Sequence, residues 1–396
     1  MMRLPRSLPI RSPHHKGSGR LVPTSWTSRP CPLSLGLLLF LAARSFADPA
    51  DVSTDLAKFT QDGKVPGLVA AAVLDGKIIA AGATGVRKHG DPAPVTINDK
   101  FHIGSCTKSM TASLAAMLVA DGKITWKTTV AEVFPELKIH PDFQKATLLQ
   151  LASNSGGAPG EVPPPLWAKT VSNREKPESE QRMDFISALL ENPPAYPPGT
   201  QNVYSNGGFT IAGAMLEKVS GKSYDALIQE RLFKPLHLDT AGFGAPATAG
   251  KTDQPYGHIR RFGFIVPVAP GPDADNPPAI TPAGRVHLSI LDFARYASFH
   301  LGTMEKSPLD PAALKFLHTP VPPSKEYALG WRNVERPWAH GTALYHNGTN
   351  TMNYAVMWLA PDRKFAAVAA CNIYDEAGPQ ACDAAVSFLI QKFLSN

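Results

Sequence analysis

The chain has 396 residues, 39 Lys/Arg against 33 Asp/Glu and an apolar content of 43%, enough to bury a sizeable core and to hold two domains. Seven of the basic residues and none of the acidic ones fall in residues 1–47, so the remainder carries 32 basic against 33 acidic residues. That balance excludes a polyanion-binding surface, and no spacing of Cys, His and carboxylates spells a metal site.

Residues 1–47 read as a signal peptide. A basic stretch precedes the apolar run Leu33 to Ala43, and Ser45-Phe46-Ala47 has the small-x-small form that a signal peptidase cuts, giving a mature start at Asp48. The apolar run is too short to span a bilayer comfortably, and Cys31 lies on the wrong side of it for lipid attachment. The expected location is exported, periplasmic or secreted, with transient membrane contact during export only.

From Asp51 to Asp62 the pattern predicts a first helix. Leu68 to Leu74 and Lys77 to Ala81 are short apolar runs flanking Asp75-Gly76, a strong hairpin signal. The stretch Gly104-Ser105-Cys106-Thr107-Lys108 then opens a run to Ala120 in which Lys108 is the only charged residue, and Gly122 stands where a C-terminal cap belongs. This reads as a buried helix with Ser105 and Lys108 one turn apart on the same face. An ammonium there is costly unless it is paired, snorkels to solvent or loses its proton, and a serine that must be deprotonated can use the last of these.

Thr147 to Ala152 is another helical turn. Gly157 to Gln181, rich in Pro and charge, predicts a long surface excursion without packed structure, and Phe185 to Leu190 resumes helix. Tyr204-Ser205-Asn206 precedes a helical pattern at Ile211, Met215 and Val219 that ends at Gly221. Ser223 is a natural N-cap for a helix to Phe233. A second Pro/Gly-rich stretch, Gly242 to Gly284, suits a lid or pocket wall, with Tyr256 and Phe264 as substrate-facing aromatics. Ser289 to His300 is helical. Thr342 to His346, Asn353 to Leu359 and Lys364 to Asn372 are strand-like, and Pro379 opens a final helix with a stripe at Cys382, Val386, Leu389 and Phe393. Cys371 and Cys382 are equally compatible with a disulfide and with buried thiols.

Two strands near the start, three near the end and helices between predict an α+β fold. It consists of an antiparallel five-stranded sheet built from both chain ends and flanked by helices, with an inserted mostly helical domain. The expected division is a sheet subdomain at 48–105 and 285–396, with a mainly helical subdomain at 106–284, together forming one domain from 48 to 396.

Three ordered motifs carry a resemblance: Ser105-Cys106-Thr107-Lys108, Tyr204-Ser205-Asn206 and His346-Asn347-Gly348, with Tyr327-Ala328-Leu329-Gly330-Trp331 and Pro282-Ala283-Gly284 as accessories. From about Asp51 onward the chain resembles the serine beta-lactamase and DD-peptidase superfamily, on the branch of class C beta-lactamases, carboxypeptidases, D-aminopeptidases and related esterases. The resemblance implies a beta-lactamase/transpeptidase-like fold and Ser105 as the nucleophile of an acyl-enzyme. It further implies a Lys108/Tyr204 pair as proton relay and an oxyanion hole at the backbone N–H groups of Ser105 and Thr349. Asn206 is implied as a partner of substrate and Lys108, although it reads equally well as a cap for the following helix. Gly348 is expected to clear room for substrate along the strand edge.

The class C pattern has lysine where this chain has His346, which is only partly charged at neutral pH, so a penicillin hydrolase is the second expectation. The first is a serine hydrolase of D-amino-acid cell-wall peptides or small esters, needing no metal or organic cofactor. Its partner is a small-molecule or peptide substrate, with no nucleic acid, and the oligomeric state is left open. From a different class, a non-catalytic binder of peptidoglycan fragments would keep the same pocket. Asn347-Gly348-Thr349 also spells a glycosylation sequon, read as coincidence because the site is expected to be enclosed.

Overall fold

A computed structural model describes residues 48–394, and the expected leader and its cleavage site lie outside the described residues. The Asp75-Gly76 signal holds. Both residues adopt left-handed φ angles (48° and 77°), and they join Gly67–Leu74 to Lys77–Gly85 as an antiparallel hairpin. The C-terminal strands Gly341–Thr349, Tyr354–Ala360 and Phe365–Cys371 form a meander, and Phe365–Cys371 pairs with Gly67–Leu74 to close the sheet from both chain ends.

The sheet has seven strands rather than five. Ala50–Asp51 adds to one edge, parallel to Lys77–Gly85, and Arg332–Arg336 adds to the other, antiparallel to Gly341–Thr349. The sequence signal misses the second because an edge strand with one neighbour needs no apolar alternation, and charge there discourages further pairing.

Side-chain alternation assigns each face. Val69, Ala71 and Val73, with Ala366, Val368 and Ala370, join the large core shared with the helices between the sheet's two halves. Leu68, Ala70 and Ala72, with Phe365, Ala367, Ala369 and Cys371, pack under the C-terminal helix Ala377–Phe393. Cys371 and Cys382 are buried free thiols on that second face.

Three expectations change. The first helix spans only Ser53–Ala57, because the Thr60 hydroxyl takes the Ala57 carbonyl and the chain turns away. The Gly157 to Gln181 excursion contains the helix Pro164–Ser172, since proline at the first helical positions lacks only an N–H that has no intrahelical partner there. The Gly242 to Gly284 stretch contains a hairpin, Gly257–Arg261 with Phe264–Val268. Its Phe264 is exposed, and Tyr256 is buried with the Lys88 ammonium 4.9 Å from its ring centre, so this pair does not form a shared aromatic wall. Among the described residues no helix is long and apolar enough to cross a membrane.

Candidate active site

Ser105 lies on a 3₁₀ turn, Gly104–Cys106, that runs into the helix Thr107–Ala120. The helix is apolar around nearly its whole circumference and is buried accordingly. Between Phe101 and Leu118, Ser105 is the one residue that is not buried. Two hydrogen bonds set the turn: Gly104 N–H donates to His102 Nδ1 (3.0 Å), and the Thr107 hydroxyl donates to the Gly104 carbonyl (2.7 Å). His102 Nε2 in turn lies 2.7 Å from the buried Asp275 carboxylate.

Lys108 is fully buried. Its Nζ lies 3.0 Å from Ser105 Oγ, 2.7 Å from Asn206 Oδ1 and 2.7 Å from the Ala283 carbonyl. Burial favours the uncharged amine and lowers its pKa to about 7. A neutral amine has two N–H donors and one lone pair. Asn206 Oδ1 and the Ala283 carbonyl can accept only from N–H, so the lone pair is left for the Ser105 hydroxyl.

The two readings of Asn206 are resolved by its neighbour. Ser205 Oγ caps the helix Asn206–Ser220 by accepting from Gly208 N–H, which leaves the Asn206 side chain free for Lys108. The loop ahead of this helix is strapped to Asn154, whose carbonyl accepts from Val203 N–H and whose side-chain oxygen accepts from Ser205 N–H. Tyr204 is thereby held over the site, with Lys108 Nζ 4.7 Å from its ring centre. Burial raises the Tyr204 pKa, against the opposing pull of a hydrogen bond with Ser105.

The third motif meets the serine turn through backbone. A Cβ on Gly104, whose φ is +49°, would fall 2.2 Å from Thr349 N. One on Gly348 would fall 2.1 Å from the Ile103 carbonyl and 2.3 Å from Ser105 N. Glycine at 348 is therefore required by the approach of two backbones, a cause different from the expected clearance for substrate. The contact brings the N–H groups of Ser105 and Thr349 to one place, and the Cys106 thiol reinforces it by donating to the His346 carbonyl (3.5 Å).

His346 is buried, and its pKa is lowered to about 3 by burial, with the nearby Lys108 acting in the same direction. It is thus neutral, not partly charged. Its Nδ1–H faces the Asn347 carbonyl at 2.7 Å, and Nε2 accepts from the Tyr327 hydroxyl at 3.3 Å. Asn347 itself is exposed.

The residues of the three motifs and the oxyanion hole, Ser105, Lys108, Tyr204, Asn206, His346, Gly348 and Thr349, thus converge, whereas Tyr256 and Phe264 form no shared aromatic wall. Sequence reasoning misses Ala283, which acts through its carbonyl and so leaves no mark in residue type, although it stands within the accessory motif Pro282-Ala283-Gly284. It also misses Arg332, a half-buried arginine directly opposite Tyr345 in the neighbouring edge strand. Its guanidinium stands 5.8 Å from the Tyr327 ring centre and has no acidic partner among the described residues. Among the described residues, no three His, Cys, Asp or Glu side chains are grouped to hold a metal.

Comparison with known proteins places these features in context. The family profile described as Beta-lactamase matches residues 52–391. A Beta-lactamase from Escherichia coli (strain K12) is 29% identical over 277 residues, covering 68% of this chain and 66% of that protein, so the chain spans just under two thirds of its length. Penicillin-binding protein 4 from Amycolatopsis lactamdurans is 27% identical over 320 residues, covering 75% and 78%. A solved class C beta-lactamase superposes with a TM-score of 0.69 at 20% identity, covering 86% of this chain and 95% of that one, a likeness of fold.

Proposed function

The chain belongs to the beta-lactamase family of serine hydrolases, and from that premise we propose that it hydrolyses an amide or ester through an acyl-enzyme on Ser105. The observation that carries the reading is the Lys108 hydrogen-bond set, which aims a lone pair at the serine hydroxyl. Ser105 Oγ adds to the substrate carbonyl as its proton passes to Lys108, and the oxyanion accepts from Ser105 and Thr349 N–H. The Lys108/Tyr204 pair then returns a proton to the departing amine or alcohol. Water enters by the reverse proton path to release the acid and free Ser105. Tyr204, its pKa raised, serves as the neutral donor in this exchange.

The substrate class follows from charge. A neutral His346 offers a substrate carboxylate no cation of its own. Arg332 supplies one at the neighbouring strand, and its positive charge is felt at Tyr204, Tyr327 and His346. The reading favours a peptide or ester bearing a carboxylate near the scissile bond, such as a D-amino-acid cell-wall peptide. The signal-peptide-like pattern of residues 1–47 supports a reading in which the enzyme is exported to the periplasm or secreted, where such peptides occur.

Arg332→Met is expected to raise KM for carboxylated substrates by roughly ten- to a hundredfold, the worth of a charge-assisted hydrogen bond, and to leave neutral esters unchanged. Equal losses on both substrate types would end the carboxylate assignment. The acylation rate should also fall below pH 7, about tenfold per unit, because protonation of Lys108 at its pKa of about 7 removes the acceptor. A pre-steady-state rate that stays flat from pH 5 to 8 would contradict that role. The reading as a whole is tested by intact mass over a time course with benzylpenicillin and with p-nitrophenyl esters. A transient +acyl species with product release supports hydrolysis, whereas binding without any adduct would indicate a non-catalytic receptor.

A further inference from the structure

The motif Pro282-Ala283-Gly284 forms most of a short helical turn, Thr281–Gly284, that packs against the serine turn, a Cβ on Gly284 falling 3.4 Å from the Gly104 carbonyl carbon. Its Ala283 carbonyl fixes one of the two N–H groups of Lys108. What fixes the turn itself is a second contact from the same helix. Thr111 lies three residues after Lys108, on the same face. Its hydroxyl donates to the Pro282 carbonyl at 2.6 Å, one peptide before the carbonyl that Lys108 uses. One helix face thus grips two consecutive carbonyls of one turn.

The Thr111 hydroxyl has a single hydrogen, so its oxygen remains free to accept, and the Tyr224 hydroxyl lies 2.6 Å from it. Burial raises the Tyr224 pKa, which keeps the phenol a donor. The Tyr224 ring is held by the buried Arg182 guanidinium, 5.5 Å from its centre, and its backbone N–H donates to Glu217 at 2.7 Å. Pro282 also seats against Gly213, where a Cβ would fall 2.3 Å from the proline ring, and Gly213 belongs to the helix that begins at Asn206. Both acceptors of the lysine, Asn206 Oδ1 and the Ala283 carbonyl, are therefore indexed to one packed unit.

We propose that Thr111 and Tyr224 are positioning residues that aim the Lys108 lone pair at Ser105 by clamping the Pro282–Ala283 peptide. The inference rests on reading Lys108 as the acceptor of the Ser105 proton. The clamp fixes two carbonyl-type acceptors, the number a neutral amine can satisfy, and leaves Ser105 Oγ as the remaining polar neighbour of Nζ. With the clamp loosened, the Ala283 carbonyl drifts from Nζ. The lone pair then loses its single direction, and the ammonium loses an acceptor that stabilises it. The groups facing Lys108 are Ser105 and Cys106 beside it, Tyr204 from the loop and His346 from the strand Gly341–Thr349, with Arg332 of the adjoining edge strand acting on His346. Cys106 and Tyr204 are raised and His346 lies near 3, so none of these three supplies a limb near pH 7.

The test is the pH profile of the acylation rate, read by stopped-flow with a p-nitrophenyl ester, for the wild type, Thr111→Val, Thr111→Ser, Tyr224→Phe and Lys108→Met. Thr111→Val keeps the volume and loses the hydroxyl. It should lower the plateau by about tenfold or more and move the acid limb to lower pH by about half a unit. Thr111→Ser should restore both, and Tyr224→Phe should reproduce a smaller change of the same sign. A wild-type profile in Thr111→Val and Tyr224→Phe overturns the clamp. So does a reduced plateau with an unmoved limb that serine fails to rescue, because that pattern is general loss of structure. Should Thr111→Val not fold, Tyr224→Phe alone decides by the same criteria. If Lys108→Met acylates at the wild-type rate and the wild type has no limb, the lysine reading itself fails and takes the clamp with it, a result distinct from either of the others.

Discussion

Replacing Ser105 with alanine should abolish covalent turnover, lowering kcat/KM by about 10⁴–10⁶-fold and removing every acyl adduct from the intact mass spectrum. The size of the effect follows from the absence of a substitute. The neighbouring Cys106 thiol is buried, has its pKa raised by that burial and donates to the His346 carbonyl, so it offers neither access nor a thiolate. Thr107 is also buried, with its hydroxyl committed to Gly104 and Val286. The fold should survive, because the Ser105 side chain meets only the Lys108 and Tyr204 side of the pocket, and the melting temperature should change by no more than a few degrees. An adduct that persists in Ser105→Ala would move the nucleophile elsewhere. Retained substrate affinity without turnover in both wild type and variant would identify a receptor.

Gly348→Ala is the second large effect, and it joins stability to chemistry. The added Cβ would stand 2.1 Å from the Ile103 carbonyl and 2.3 Å from Ser105 N, and both are backbone atoms. Neither side can yield cheaply. Gly348 is paired with Ala355 inside the sheet, and Ile103 N–H is bonded to the Val286 carbonyl at 2.9 Å. The expected cost is about 2–4 kcal/mol of stability, with a loss of about 10²-fold or more in kcat as the Ser105 and Thr349 N–H groups separate. Gly271→Ala is the control, since its extended backbone suits any residue and a Cβ there meets nothing within 4 Å. Denaturant unfolding of both variants, alongside acylation kinetics, checks the pair. A Gly348→Ala protein with wild-type stability and rate would show that the two backbones need not meet.

The sequence made legible whatever is carried by side-chain type and periodicity. The Asp75-Gly76 turn, the three C-terminal strands and the buried serine helix all announce themselves in this way. So do the residues that converge on Ser105. What stayed hidden is carried by backbone or by context. The Ala283 carbonyl could be any residue's carbonyl. Asn206 could be assigned only after Ser205 was seen to take the capping position. The charge state of His346 depends on how completely the strand and its neighbours exclude water, which no local pattern encodes. Phe264 was expected in a substrate wall because it is aromatic, yet the turn at Phe262-Gly263 carries it out into solvent.

The burial pattern around the nucleophile has a practical corollary. The segment from Phe101 to Leu118 contains five hydroxyl-bearing side chains, Ser105, Thr107, Ser109, Thr111 and Ser113, and four of them are sealed. Access alone selects among them, so even an indiscriminate fluorophosphonate reagent should modify this peptide once and at one atom. The fraction of that peptide modified then counts competent molecules in a preparation. Specific activities could thus be normalised, and batches compared, without recourse to a natural substrate.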